Sequence, residues 1–141
     1  MNRAESLRLR YTADWERMVT HPFLMQLANG SLPRSTFTDY MTQDRLFIDA
    51  LVRLVAVGIA RAPSLHTVKP LGEFLQTLMG AEEDLFVEVF SELGISPSRP
   101  ITPLPVTKRF IKFLGNLARR GTFAQIAVAL HVTEGTYADW A

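Results

Sequence analysis

The sequence predicts an all-α protein, a bundle of about five helices. Three observations carry that expectation. Apolar side chains recur at three- and four-residue spacings over almost the whole chain, the period of a helix face. No stretch alternates apolar and polar residues as a half-buried strand would. The breaks between periodic stretches fall at proline and glycine, the residues that punctuate helices.

The first helix is expected over residues 3–19, with Leu7, Tyr11, Trp15 and Met18 as its apolar row. His21-Pro22 breaks it, because proline disfavours helical angles in the residue before it. A short helix over residues 22–28 opens with proline at a tolerated first-turn position and stops at Asn29-Gly30. Pro33 or Ser35 then opens a long helix that ends near Ala62-Pro63. A third long helix is expected over residues 64–93, its start kinked or delayed by Pro70. Its row is Leu71, Phe74, Leu75, Leu78, Met79, Phe86, Val89 and Leu93, and Gly94 is its natural cap. The segment ISPSRPITPLP, residues 95–105, holds four of the eight prolines and is expected to be extended. A helix over residues 106–120 follows, and the last begins after Thr122 as N-cap and runs to the end of the chain. The final residues, Tyr137-Ala-Asp-Trp-Ala141, have no glycine, proline or polar tail and read as a cut rather than a natural terminus.

Composition excludes several classes. The chain has 141 residues, is 48% apolar and carries a net charge of +1 from 15 basic and 14 acidic residues. It suits one domain, residues 1–141, with a single core. Its charge is too balanced for a nucleic-acid or membrane-surface partner. The pair Arg119 and Arg120, just before Gly121, decorates a helix C-terminus. With no cysteine, a thiol nucleophile, a disulfide framework and a thiolate metal site are ruled out. The N-terminus lacks the apolar core of a signal peptide. The densest apolar run, residues 51–60, is interrupted by Arg53 and falls short of the roughly 20 residues of a membrane span. A cytoplasmic protein is the expectation.

Two acids interrupt otherwise apolar stripes. In the long helix, Phe37, Tyr40, Met41, Phe47, Ile48, Leu51 and Val55 form one face, and Asp44 falls in its middle. A lone buried carboxylate costs several kcal/mol unless it is paired. Asp44 is therefore a surface-edge residue, a partner of Arg45 or Arg53, or a ligand-binding group. In the last helix, Phe123, Ile126, Ala127, Leu130, Tyr137 and Ala138 share a face on which Glu134 also lies. Two such acids on two helices of a small bundle point to a common cavity, a usual place for a site. The acidic run Glu82-Glu83-Asp84 reads as a solvated face or helix edge. His21 reads as a cap or junction residue, and His66 lies near a loop. His131 and Glu134 are three apart, as in half of a carboxylate-bridged di-iron site, but no second such pair exists, so no metal is expected. Tyr40, Phe47, Phe86, Phe110 and Tyr137 read as core, or as stacking walls for a planar heterocycle. No phosphate-cradling glycine loop and no serine nucleophile elbow is present.

From Trp15 through HPF (21–23), LANGSLPRSTFTDYMTQD (27–44) and GTFAQIAVAL (121–130), the chain resembles the TenA / thiaminase II family, whose fold is that of heme oxygenase. The resemblance covers essentially the whole chain and about the N-terminal two-thirds of a typical member. It implies that Asp44 is the aspartate that holds an aminopyrimidine and that Tyr137 is an active-site tyrosine. The catalytic cysteine of one branch aligns with Thr133. TEGTY (133–137) instead resembles the branch in which a glutamate three residues before the tyrosine takes over, here Glu134. Phe47 and Phe110 stand where the cysteine branch has tyrosines, and a late glutamate of the family lies beyond residue 141. The implied substrate-binding set is Asp44, Tyr137, Phe47, Phe110 and Glu83, with Glu134 catalytic.

The implied activity is hydrolysis of an aminomethyl- or formylaminomethyl-pyrimidine in thiamin salvage, without cofactor or metal. The implied partners are a small pyrimidine and further copies of the chain, since family members form tetramers. Two other readings stay open: a non-catalytic binder of a small heterocycle, and a metal-dependent oxidase of the same superfold.

Overall fold

The computed structural model describes residues 2–96 and 98–141, and every regular element in them is a helix. The elements are α1 (Arg3–Arg10), α2 (Thr12–Val19), α3 (Pro22–Ala28), α4 (Arg34–Arg61), α5 (Leu65–Met79), α6 (Ala81–Leu93), α7 (Pro105–Arg120) and α8 (Phe123–Trp140). None is long and apolar enough to cross a membrane. The chain divides into two compact units, Met1–Arg34 with Ala127–Ala141, and Ser35–Ile126.

Among the described residues eight helices stand where the sequence outlines five long helices and one short one, because two of the long ones each divide. The break in residues 3–19 is at Tyr11. Its N–H is shared between the Leu7 and Arg8 carbonyls at 3.2 and 3.3 Å. The Thr12 hydroxyl donates to the Arg8 and Leu9 carbonyls at 3.2 and 2.9 Å. Thr133 and Thr136 make the same bonds inside an unbroken α8, so the break is marked by Tyr11 itself, whose backbone angles (φ −117°, ψ 29°) leave the helical region. The apolar row is correspondingly reduced: Tyr11 and Met18 are exposed, and only Trp15 is buried. The break in residues 64–93 is at Gly80, whose backbone angles (φ −107°, ψ −93°) leave the helical region. Pro70 neither delays nor ends α5. Ser64 caps that helix by accepting from the Thr67 N–H, and Pro70 lies inside it.

The acidic run acquires a structural role from the same break. Glu82, Glu83 and Asp84 occupy the first turn of α6, where negative charge is favourable against the positive end of the helix dipole. Gly94 closes α6 in the left-handed conformation at φ 70°, and Ile95 N–H reaches back to the Phe90 carbonyl at 2.8 Å. The following connection is irregular through Leu104, as its prolines require, although Pro97 lies outside the described residues. Its last proline, Pro105, opens α7. His21 caps α3, its Nδ1 accepting from the Phe23 N–H at 3.2 Å.

The core of the larger unit is built from Leu51, Leu54 and Val55 of α4, Leu114 of α7 and Ile126 at the start of α8, all fully buried. Each such side chain contributes roughly 1.5–3 kcal/mol. A Cβ on Gly58 would lie 3.3 Å from Ile126 Cγ2, so glycine lets α4 come close to that residue. Arg61, at the end of α4, donates to the Gly121 and Arg119 carbonyls at 2.6 and 3.3 Å. A cation there satisfies the orphan acceptors at the C-terminus of α7. In the last helix, Thr122 and Gln125 form a capping box: Gln125 N–H donates to Thr122 Oγ1 at 3.3 Å and Thr122 N–H to Gln125 Oε1 at 2.8 Å.

Candidate functional site

In the larger unit the candidate residues start from α4. Met41, Ile48, Leu51 and Val55 are buried, while Phe37, Tyr40, Asp44 and Phe47 are half-buried. Asp44 therefore sits at the boundary of the apolar stripe, neither sealed in nor fully in water. Both arginines considered as its partners are engaged with other acids. Arg53 pairs with Asp49 one turn away, at 3.3 Å. Arg45 contacts Glu83 at 2.8 and 3.1 Å, and its guanidinium lies 5.6 Å from the Phe86 ring centroid. Glu83 is thus half-buried and tied to α4, where the sequence reading placed it on a solvated edge.

Phe47 of α4 and Phe110 of α7 come together. Their rings are parallel within 3°, with centroids 5.3 Å apart, and Phe113 continues the row at 6.3 Å from Phe110. They are not core: Phe110 is 39% and Phe113 52% exposed. Parallel, accessible rings offer a flat apolar wall suited to a planar heterocycle. Of the aromatics read as core, Phe86 is buried, Tyr40 and Phe47 are half-buried, and Phe110 and Tyr137 are exposed.

Gln43 stands next to Asp44 on α4. Its carboxamide donates to the Thr102 carbonyl at 3.2 Å and accepts from the Leu104 N–H at 2.9 Å. This clamps the connection that leads into α7, and with it the start of the helix that carries Phe110. Gln43→Leu removes both bonds, each worth about 1 kcal/mol. The Leu104 amide is then expected to exchange with solvent about tenfold or more faster, measured by hydrogen exchange, since about 1.4 kcal/mol is one decade. Unchanged exchange would show that the clamp does not hold the segment.

In the smaller unit, α8 carries Glu134 and Tyr137. Glu134 is half-buried. Tyr137 is 45% exposed and meets Trp140 edge-on, with centroids 4.9 Å apart. The expected apolar face is corrected here. Ala127, Tyr137 and Ala138 are exposed, and the buried line runs through Ile126, Leu130 and Thr136. The physical reason lies at Gly135 and Thr136. The Trp15 ring packs on Gly135, and Thr136 satisfies its hydroxyl by donating to the Val132 and Thr133 carbonyls at 2.7 and 3.0 Å. A satisfied threonine is acceptable inside where an unpaired hydroxyl is not.

Thr133 is likewise turned back on its own helix. Its hydroxyl donates to the Ala129 and Leu130 carbonyls at 3.1 and 3.2 Å. His131, in the same helix, has a buried Nε2 with no hydrogen-bond partner among the described residues, and its ring lies 5.9 Å from that of Trp15. Among the described residues no three His, Asp or Glu side chains gather as a metal site would require.

The fold and these residues define the chain as an all-α protein of the heme-oxygenase-like class. The TENA/THI-4/PQQC family model matches residues 10–141, and the chain belongs to that family. Among its relatives is the aminopyrimidine aminohydrolase of Halalkalibacterium halodurans, 30% identical over 132 residues, which are 92% of this chain and 59% of that one. The aminopyrimidine aminohydrolase of Bacillus subtilis is 27% identical over 132 residues, 92% of this chain and 56% of that protein. The chain thus spans less than two-thirds of the length of these relatives. Among solved structures, a TenA homologue from Pyrococcus furiosus superposes with a TM-score of 0.86 at 25% identity, covering 96% of this chain and 64% of that one.

Proposed function

We propose that the protein is an aminopyrimidine hydrolase of thiamin salvage, converting an aminomethyl- or formylaminomethyl-pyrimidine to the hydroxymethyl-pyrimidine. In the aminomethyl case water attacks the exocyclic methylene carbon. A C–O bond forms, the C–N bond breaks, and the nitrogen leaves as ammonia. Asp44 accepts N–H bonds from the amidine-like edge of the ring, a task suited to a carboxylate because it is acceptor-only. Phe47 and Phe110 stack on the ring, Tyr137 and Glu83 complete the binding set, and Glu134 takes the proton from water and returns one to the departing amine. The observation that carries this assignment is Thr133. Its hydroxyl is committed to two helix carbonyls, which supports a carboxylate-driven reaction at Glu134 over a nucleophile at position 133.

We further read residues 1–141 as one TenA-like domain of a cytoplasmic homotetramer. The family match and the two aminohydrolase relatives support the substrate class. The test is incubation with an aminomethyl-pyrimidine while ammonia and the hydroxymethyl product are followed together. Equal amounts of both are expected. Calorimetric binding without any release would overturn the hydrolase reading and leave a heterocycle binder.

A further inference from the structure

The smaller unit contains a second constellation that the proposed chemistry does not use. Among α1, α2 and α3, Trp15 is the one buried side chain, at 8% exposure. Its indole Nε1–H donates to Asp139 Oδ2 at 2.7 Å, and the Arg8 guanidinium reaches the same oxygen at 2.7 Å. Arg8 also lies 5.2 Å from the centre of the Trp15 ring. The far edge of that ring sits where a side chain on Gly135 would begin, with Cη2 2.8 Å from a Cβ built there. His131 packs beside the same ring.

Residues 131, 135 and 139 follow one another at four-residue intervals and form one strip along α8. Trp15 seizes this strip in two different ways. The glycine notch fixes the rotation of the helix, because only at residue 135 can the ring come so near the backbone. The bond to Asp139 fixes its position along its axis: sliding by one residue moves the acceptor about 1.5 Å, enough to break it. Glu134 is one residue from the notch, about a quarter turn round the helix, and Tyr137 lies further round in the same direction. A carboxylate that must meet a water and a carbon at bonding range tolerates little rotation of its helix.

We infer that Trp15 is a positioning residue for Glu134, acting through Gly135 and Asp139, with Arg8 holding Asp139 in place. The inference rests on the catalytic reading of Glu134, and its test separates the two. Trp15→Phe keeps the ring and removes the indole donor. Asp139→Leu removes the acceptor without touching the ring, and so serves if the first variant does not fold. Asp139→Asn keeps an oxygen acceptor and is the rescue variant.

In the aminomethyl-pyrimidine assay, Trp15→Phe and Asp139→Leu are expected to lower kcat about 10–100-fold with KM little changed. Asp139→Asn is expected to retain most of the rate. Backbone amide resonances of residues 133–137 are expected to move in the first two variants and to stay in place in Asp139→Asn. Wild-type kcat in a folded Trp15→Phe or Asp139→Leu would overturn the inference. So would amide shifts confined to residues 131, 135 and 139. If the wild-type protein releases no ammonia, the hydrolase reading fails, and the amide shifts alone decide whether Trp15 sets the placement of the Glu134 segment.

Discussion

Glu134→Gln is expected to lower the rate of ammonia release by about 10²–10⁴-fold, the usual contribution of a positioned general base. The substitution is close to isosteric, so it removes the proton-accepting function and leaves helix α8 intact. It should therefore act on kcat, with pyrimidine binding little altered. Asp44→Asn is expected to do the reverse. Its carboxylate accepts charge-assisted bonds worth about 1.5–3 kcal/mol, so KM or the dissociation constant should rise by roughly 10–150-fold. Thr133→Ala is the control. Because the Thr133 hydroxyl donates to carbonyls of its own helix, its loss should leave the rate within a few-fold of wild type. Steady-state kinetics with ammonia detection separates these outcomes. A Glu134→Gln variant with the wild-type rate would remove Glu134 from the mechanism, and a collapse in Thr133→Ala would restore position 133 as the reacting group.

Gly135→Val is expected to lower stability by about 2–4 kcal/mol. Two effects compete. Glycine inside a helix costs about 1 kcal/mol relative to alanine, and β-branched valine recovers only part of that. Against this stands the 2.8 Å separation between a new Cβ and Trp15 Cη2, well inside contact distance. Overpacking of a buried ring costs about 1–3 kcal/mol, and the two further methyl groups of valine add to it. The ring cannot simply swing aside, because its Nε1–H is held by Asp139. Displacing it would break that part-buried bond. The overpacking term therefore wins. Thermal unfolding should shift down by roughly 6–15 °C. Gly135→Ala is the informative intermediate, since its smaller clash and larger helical gain nearly cancel. An unchanged melting temperature in Gly135→Val would mean that Trp15 is not anchored as described.

Much of the helical architecture follows from local rules. The short helix after His21-Pro22, the long α4, the α7 segment and the capped start of α8 were all readable from proline, glycine and capping residues. Their ends depend on groups within three or four residues of each other, so no tertiary knowledge was needed. The two unseen breaks have different origins. The break at Tyr11 falls in a stretch without glycine or proline, so no punctuating residue marks it in the sequence. The break at Gly80 left a signal, a glycine followed at once by an acidic first turn, and that signal was masked by apolar residues that keep the same period across it.

The all-α class and the family signature were legible in the linear sequence alone. Each of these is periodic or linear information, and a one-dimensional pattern can carry it. The folded chain, by contrast, brings Arg45 to Glu83, lets Gln43 clamp the proline-rich connection, and turns Thr136 of α8 inward while leaving Tyr137 exposed. It alone brought Trp15 onto Gly135 and Asp139, more than a hundred residues away. Side chains so far apart in the chain share no spacing rule. Their meeting is set by which helix faces pack and by the need to satisfy every buried donor, and those are properties of the folded unit.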